Sequence, residues 1–464
     1  MSGTSQRNRE RNGGNAGGNA GERCESELII RGGTIVTVDP LWRIEAGDLV
    51  CRDGVIAQVG GDAVPVAREY EVLDASGCFV LPGLVQSHVH TCQTLARGRG
   101  DGLSLLDWLR RVTWPYEATL DAGDVEAAAR LACVELLLGG TTAIQDMGTV
   151  RHTEAIFAVV NEAGIRAAVG KVLMDAAEGF PAALREKTSD ALEESEALCK
   201  AWHGKSDGRL RYAYAPRFAL SCSAELLEGV AAEARRLGAR IHTHASESPS
   251  ECQLVRERTG VSNIAYLDSL GLLGPDVGLA HCVWLEGDDL QRLAETGTRV
   301  LHCPSANLKL GSGIAKVPEM LAANVHVSLG ADGAPCNDNL DAFVEMRLAG
   351  LLPKPRLGAA ALPARDVVRM ATMGGAQALG LEEQIGSLEV GKQADVTVVS
   401  FVEPHVVPAE SPYAALVYSC RAADVRHVVV AGRALVRDRE LSTLDVGRVV
   451  SNARARARRI FDRI

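Results

Sequence analysis

Four short apolar runs in this chain end in imidazole or carboxylate side chains, and that recurrence constrains the fold more than any other feature. The first is Leu81-Pro82-Gly83-Leu84-Val85-Gln86-Ser87-His88-Val89-His90. The others are Ile241-His242-Thr243-His244, Leu279-Ala280-His281 and Val327-Ser328-Leu329-Gly330-Ala331-Asp332. Residues two apart on a strand share a face, so His88 and His90 can converge on one metal from the end of a single strand. One such pair would read equally well as exposed or hydrogen-bonded histidines. Four runs ending alike read differently, because imidazole and carboxylate are the donors of a catalytic zinc-type centre with a position left open for water.

The stretches around these runs set the architecture. Asp124 to Leu138 reads as a helix stopped by Gly139-Gly140, followed by the strand Thr141-Thr142-Ala143-Ile144. Ala224 to Leu237 reads as a helix with Ser223 as N-cap and Gly238 as stop, leading into the strand that ends at His244. Asp288 to Glu295 repeats the pattern with Gly297, then a strand from Thr298 to His302. Such alternation predicts a parallel β/α barrel or an open doubly wound sheet. No G-x-G-x-x-G follows the first strand, which counts against a dinucleotide fold. In a β/α barrel, chemistry sits at the C-terminal ends of the strands, where every candidate ligand falls here.

The two ends of the chain read as β structure. Leu28–Arg31, Thr34–Val38, Leu49–Arg52 and Val55–Val59 are short apolar runs, the last two flanking the hairpin signal Asp53-Gly54. Asp395–Val399, Val428–Val430 and Ala434–Val436 repeat the pattern, and the two ends are expected to form one small discontinuous β-sandwich. The expected division is a disordered tail over 1–26, sandwich over 27–80 and 389–445, barrel over 81–388 and a C-terminal helix over 446–464. The tail expectation rests on a Gly-, Asn- and Arg-rich stretch too poor in apolar residues to order itself.

Composition narrows the function classes. The 464 residues carry a net charge of −10 without a basic stripe, which disfavours nucleic acid, and no apolar stretch reaches the length of a membrane span. The 12 cysteines are scattered without a C-x-x-C pair, as expected of buried thiols in a reducing cytoplasm. No signal-peptide core opens the chain. A cytoplasmic homo-oligomer acting on a small molecule is the expectation.

The ordered set Pro82-Gly83-x4-His88-x-His90, His244-x2-Glu247, His281 and Asp332-Gly333 resembles the amidohydrolase superfamily. It is most similar to the aminohydrolase branch of adenosine-type, guanine and s-triazine deaminases. The resemblance implies an α/β fold, a distorted (β/α)8 TIM-type barrel carrying the small sandwich, with one divalent metal, Zn2+ or Fe2+. It implies His88, His90, His244 and Asp332 as metal ligands, Glu247 as the proton-shuttling acid and His281 as the histidine orienting the attacking water. Asp332 can also accept the water proton, and Glu247 can protonate a ring nitrogen. No lysine occupies Leu210 to Pro216, where binuclear relatives carry a bridging lysine, so a mononuclear site is expected. His242 reads as a structural barrel histidine one layer below His244, and His302 is given no role.

For the substrate, the resemblance divides. Asn307–Ala315 and Asp332–Arg347 are similar to deaminases of 5′-deoxyadenosine, methylthioadenosine or S-adenosylhomocysteine, with Trp108 and Glu117 at positions around the nucleoside. A carboxylate suits two ribose hydroxyls, and an indole suits a flat base; core packing after Leu105 and Leu106 is the competing reading of Trp108. Gln93, the segment Ala215-Pro216-Arg217-Phe218, and Lys171 within Gly170-Lys171-Val172 instead resemble guanine deaminases. Adenosine-type enzymes usually have histidine where Arg217 stands, and an arginine donates to a carbonyl. The expectation is a 5′-deoxyadenosine- or methylthioadenosine-type deaminase, with guanine or another amino-heterocycle as alternative. Relatives that lost their ligands serve as assembly proteins; the complete ligand set here argues against that.

Overall fold

The computed structural model describes residues 26–176 and 179–464. Apart from Ser26, the expected tail lies outside the described residues.

Eight parallel strand positions close into a barrel: Leu84–His90, Thr141–Met147, Arg166–Gly170, Leu210–Pro216, Arg240–Ala245, Val277–His281, Arg299–His302 and Val327–Leu329. Each pairs in parallel with the next, and the short segment Asp332–Gly333 pairs back onto Val89 and His90 to close the ring. The helices between them form where the sequence punctuates them. Ala224–Leu237 starts at Ser223, whose hydroxyl accepts from Leu226 N–H, and stops at Gly238 in the left-handed region. Ala122–Leu138 begins two residues earlier than its apolar pattern, at a capping box of Asp121 with Asp124.

The chain ends build a second sheet. Its path runs Glu440–Leu441, Arg433–Arg437, Val425–Val430, Val396–Ser400, Cys78–Pro82, Glu27–Val36, Ile44–Arg52 and Val55–Val59, with Tyr70–Asp74 paired to Glu27–Val36. Cys78–Pro82 lies between the N-terminal and C-terminal strands and joins both halves by hydrogen bonds. The sandwich is thus one bent sheet whose inner face closes on a shared core of Leu28, Ile30, Ile35, Leu49, Ile56, Val80, Val396, Val398 and Val429. The runs Leu28–Arg31 and Thr34–Val38 are one strand, Glu27–Val36, whose register shifts between Ile30 and Gly33.

A single residue, Gly83, separates this sheet from the first barrel strand. A Cβ there would lie 2.0 Å from Thr142 Oγ1, so no larger residue fits the joint. At the other end of the barrel's circuit, a Cβ on Gly330 would lie 2.6 Å from the His88 carbonyl oxygen. Both glycines are needed by close approach, and both fix the strand that carries His88 and His90. Among the described residues no helix is long and apolar enough to cross a membrane.

Candidate metal centre and active site

The barrel brings together the four residues read as ligands. One donor atom from each of His88, His90, His244 and Asp332 lies within 4.8 Å of the others. His88 Nε2 and His90 Nε2 are each 3.3 Å from Asp332 Oδ1, and His90 Nε2 is 3.3 Å from His244 Nε2. Two donors each about 2.1 Å from one ion sit about 3.0–3.4 Å apart, so these separations suit a shared divalent cation. His88 Nε2 is buried with no hydrogen-bond partner among the described residues, as a nitrogen meant for a metal would be.

Each imidazole is aimed by its other nitrogen. His90 Nδ1 lies 2.8 Å from the Met147 carbonyl and His244 Nδ1 2.7 Å from the Arg217 carbonyl. A carbonyl only accepts, so both Nδ1 atoms carry the proton and both Nε2 atoms present a lone pair. Burial pulls His90 down to about 3 and lowers His88 and His244 as well, so the imidazoles are neutral at physiological pH. Burial pushes the Asp332 carboxyl up, but the positive charge that His88, His90 and His281 carry when protonated outweighs it and holds the group well below the usual range. His281 and Asp332 both adopt left-handed backbone, with φ of +75° and +65°, at the barrel's rim. Non-glycine residues hold such angles at a cost, and they concentrate at functional sites.

Glu247 and His281 stand beside this cluster. His281 Nε2 is 3.5 Å from Glu247 Oε2 and 3.9 Å from Asp332 Oδ2. His281 Nδ1 donates to Asn307 Oδ1 at 2.8 Å, which leaves its Nε2 as an acceptor facing the site. Glu247 is fully buried; burial first, then the charges of Asp332 and Glu251, push its carboxyl well above the usual range. Ser312 Oγ donates to Glu247 Oε1 at 3.4 Å, and Glu251 accepts from the Glu247 N–H at 2.7 Å. The cleft above is lined by Leu105, Trp108, Leu109 and Phe218 on its apolar side and by Arg217, Glu247, Glu251 and Asp332 on its polar side.

The residues read as substrate contacts fall into two places. Glu117 and Arg217 form a buried bidentate pair, Nη1 to Oε2 at 2.5 Å and Nη2 to Oε1 at 3.2 Å, and Gln93 Nε2 donates to the same carboxylate at 2.8 Å. Features that point in the sequence to two different substrates are therefore one hydrogen-bonded unit. Lys171 does not join it. Its buried ammonium is held by the Val150 carbonyl at 2.6 Å and by Glu186 at 2.6 Å, away from the cleft lining.

Sequence reasoning missed several supports. His242, read as structural, lies 2.7 Å from His88 Nδ1. Asn307 and Ser312 sit in a segment whose individual roles nothing in the sequence announces. Glu251 did have a signal: Ser248-x-x-Glu251 is a capping box, and the same carboxylate holds the Glu247 turn.

Residues 79–435 match the Amidohydrolase family. The chain is 39% identical over 444 residues to the 5′-deoxyadenosine deaminase of Methanosarcina acetivorans, covering 94% of this chain and 99% of that protein. It is 41% identical over 440 residues to the 5-methylthioadenosine/S-adenosylhomocysteine deaminase of Syntrophobacter fumaroxidans, covering 94% and 98%. Among solved structures, a zinc-bound adenosine deaminase from Xanthomonas campestris matches with a TM-score of 0.87 at 31% identity, covering 95% of this chain and 99% of that one. The zinc complex of atrazine chlorohydrolase from Arthrobacter aurescens matches with a TM-score of 0.86 at 26% identity, covering 93% and 100%.

Proposed function

The chain belongs to the amidohydrolase family, and on that footing we propose that it is a deaminase releasing ammonia from a 5′-deoxyadenosine- or methylthioadenosine-type nucleoside. It is a metal-dependent hydrolase acting on a C–N bond, and zinc is the proposed ion. The observation that carries this reading is the buried Glu247–His281 pair set against the three histidines and Asp332 at the base of one cleft. A divalent ion held by His88, His90, His244 and Asp332 supplies Lewis acidity that brings the pKa of water toward neutrality.

The chain's own groups account for the proton traffic. Asp332 Oδ1 faces His88 and His90, while Oδ2 is turned toward His281 and is the oxygen that takes the proton of the attacking water. His281 Nε2 accepts a hydrogen bond from that water and orients its lone pair. Glu247, kept protonated by burial, gives its proton to the ring nitrogen beside the amine-bearing carbon. The C–O bond forms, the C–N bond breaks, the amine leaves as ammonia with the proton Asp332 took from water, and the hydroxyl proton returns to Glu247 as the carbonyl forms. Trp108 walls the base and Arg217 lines the sugar side; Glu117, held behind Arg217 and beside Gln93, is the proposed acceptor for ribose hydroxyls once substrate draws Arg217 aside.

Arg217 favours a second reading. Arg217 lines the cleft, and a guanidinium donor there suits a keto purine such as guanine. An ammonia-release screen over adenosine, 5′-deoxyadenosine, methylthioadenosine, S-adenosylhomocysteine, guanine, cytosine and triazines decides between them. Turnover is expected on 5′-deoxyadenosine or methylthioadenosine, in protein that contains about one zinc per chain. Deamination of guanine but of no adenosine rejects the nucleoside reading.

A further inference from the structure

We infer that His242 is the residue that holds His88 in its metal-binding form, a positioning residue for the ligand set and not filler beneath it. The inference rests on reading His88, His90, His244 and Asp332 as the metal site.

The three ligand histidines are supported unequally. His90 and His244 hand their Nδ1 protons to backbone carbonyls of Met147 and Arg217, which no substitution of those residues removes. His88 Nδ1 has a side chain instead, His242 Nε2, at 2.7 Å. The ring planes are perpendicular with 4.8 Å between centroids, and at 2.7 Å one nitrogen donates to the other; with His88 Nε2 kept for a metal, His88 Nδ1 carries the proton and His242 Nε2 accepts it. Two-residue spacing on Arg240–Ala245 puts His242 on the face of His244, one layer below it, where only an inward side chain reaches under His88.

That contact selects a tautomer. His88 Nε2 lies 3.3 Å from Asp332 Oδ1. Without an acceptor at Nδ1, the ring is free to carry its proton on Nε2, donate it to Asp332, and so block the position a metal needs. With Nδ1 tied to His242, the proton is held on the far side and Nε2 keeps its lone pair. His242 is fully buried, and its own Nδ1 finds no partner among the described residues. As core filler this is a poor choice, because an apolar side chain of similar size would leave no polar atom unpaired. The unpaired nitrogen is explained if the other one has a task.

Three variants test the inference through zinc affinity, measured by chelator competition on the full-length protein after metal removal. Gln places its amide oxygen near the imidazole Nε2 position, Asn places it near Nδ1, and Leu offers no acceptor. His242→Leu and His242→Asn should bind zinc about 10- to 100-fold more weakly than wild type, while His242→Gln stays within about 3-fold. The metal-free His242→Leu protein should melt at or above the wild-type temperature, whereas a merely structural histidine would lower that temperature and leave zinc affinity intact. If His242→Leu does not fold, the Gln and Asn pair decides alone. Wild-type affinity in the Asn variant, or equal loss in the Gln and Asn variants, overturns the inference. A wild-type protein that binds no zinc overturns the ligand-set reading and this inference with it.

Discussion

Glu247 shows how much one burial decision achieves. A carboxyl at the surface would be ionised at neutral pH and could only accept; this one is enclosed, near Asp332 and Glu251, and is pushed well above the usual carboxylate range, the direction the proposed proton donation requires. Glu247→Gln keeps the size and a hydrogen-bonding end but cannot transfer a proton. Turnover should fall by roughly 10²-fold or more with metal content unchanged, read by steady-state kinetics beside elemental analysis. Turnover near wild type would return Glu247 to the status of a buried structural acid. His88, His90, His244, Asp332 and Glu247 were legible as candidates because strand ends and fixed spacings mark them, and the fold brings them to one place. The Glu117–Arg217 pair was not, since 100 residues separate its members and each has a plausible role alone.

At the scale of elements, the stretch Leu105–Glu117 does something that periodicity cannot announce. It is one helical run in which α-helical turns at Leu105–Trp108 and Trp114–Glu117 flank a π-helical turn at Leu109–Thr113. Nine residues along a regular α-helix would put Trp108 and Glu117 on opposite sides, about 180° apart. The extra residue of a π-bulge takes back about 100°, leaving the two about 80° apart, so that Trp108 lines the cleft while Glu117 reaches the Arg217 guanidinium. Inserting one alanine beside the exposed Arg111 should add about 100° between Trp108 and Glu117 and turn Glu117 away from Arg217. The expected result is a loss of about 10²-fold or more in kcat/KM with the circular dichroism spectrum and zinc content preserved. Near-normal kcat/KM in the insertion variant would show that the angle set by the bulge has no bearing on the site. Other elements were readable because their punctuation is chemical: Gly238 and Gly297 stop their helices in the left-handed region, and Asp53-Gly54 turns its hairpin with two positive φ angles. Helix starts were less so. Asp289–Thr296 begins one residue later than its pattern, because Asp289 serves the loop before it by accepting from the Glu286 N–H.

The whole molecule depends on keeping the sheet and the barrel in one register, since Gly83 alone separates Cys78–Pro82 from the strand that carries His88 and His90. Asp395, just ahead of Val396–Ser400, makes that junction. Its carboxylate takes Arg166 Nε at 2.8 Å and Nη2 at 2.9 Å, and also the Ala431 N–H at 2.8 Å. Its carbonyl accepts from the Gly83 N–H at 2.9 Å. Arg166 opens the third barrel strand, so one residue ties the bent sheet, the joint and the barrel together. The sequence marks neither partner, because a buried pair 229 residues apart leaves no periodic trace. Both side chains are 2% exposed, so removing one strands a charge in the interior. Asp395→Ala should lower stability by about 3–5 kcal/mol, read as an earlier urea midpoint at pH 7. Replacing both partners, Arg166→Met with Asp395→Leu, should recover most of that loss, because two well-packed apolar side chains need no compensating charge. A single variant within about 1 kcal/mol of wild type would mean that water reaches the guanidinium and that the junction is held by the sheet's backbone hydrogen bonds alone.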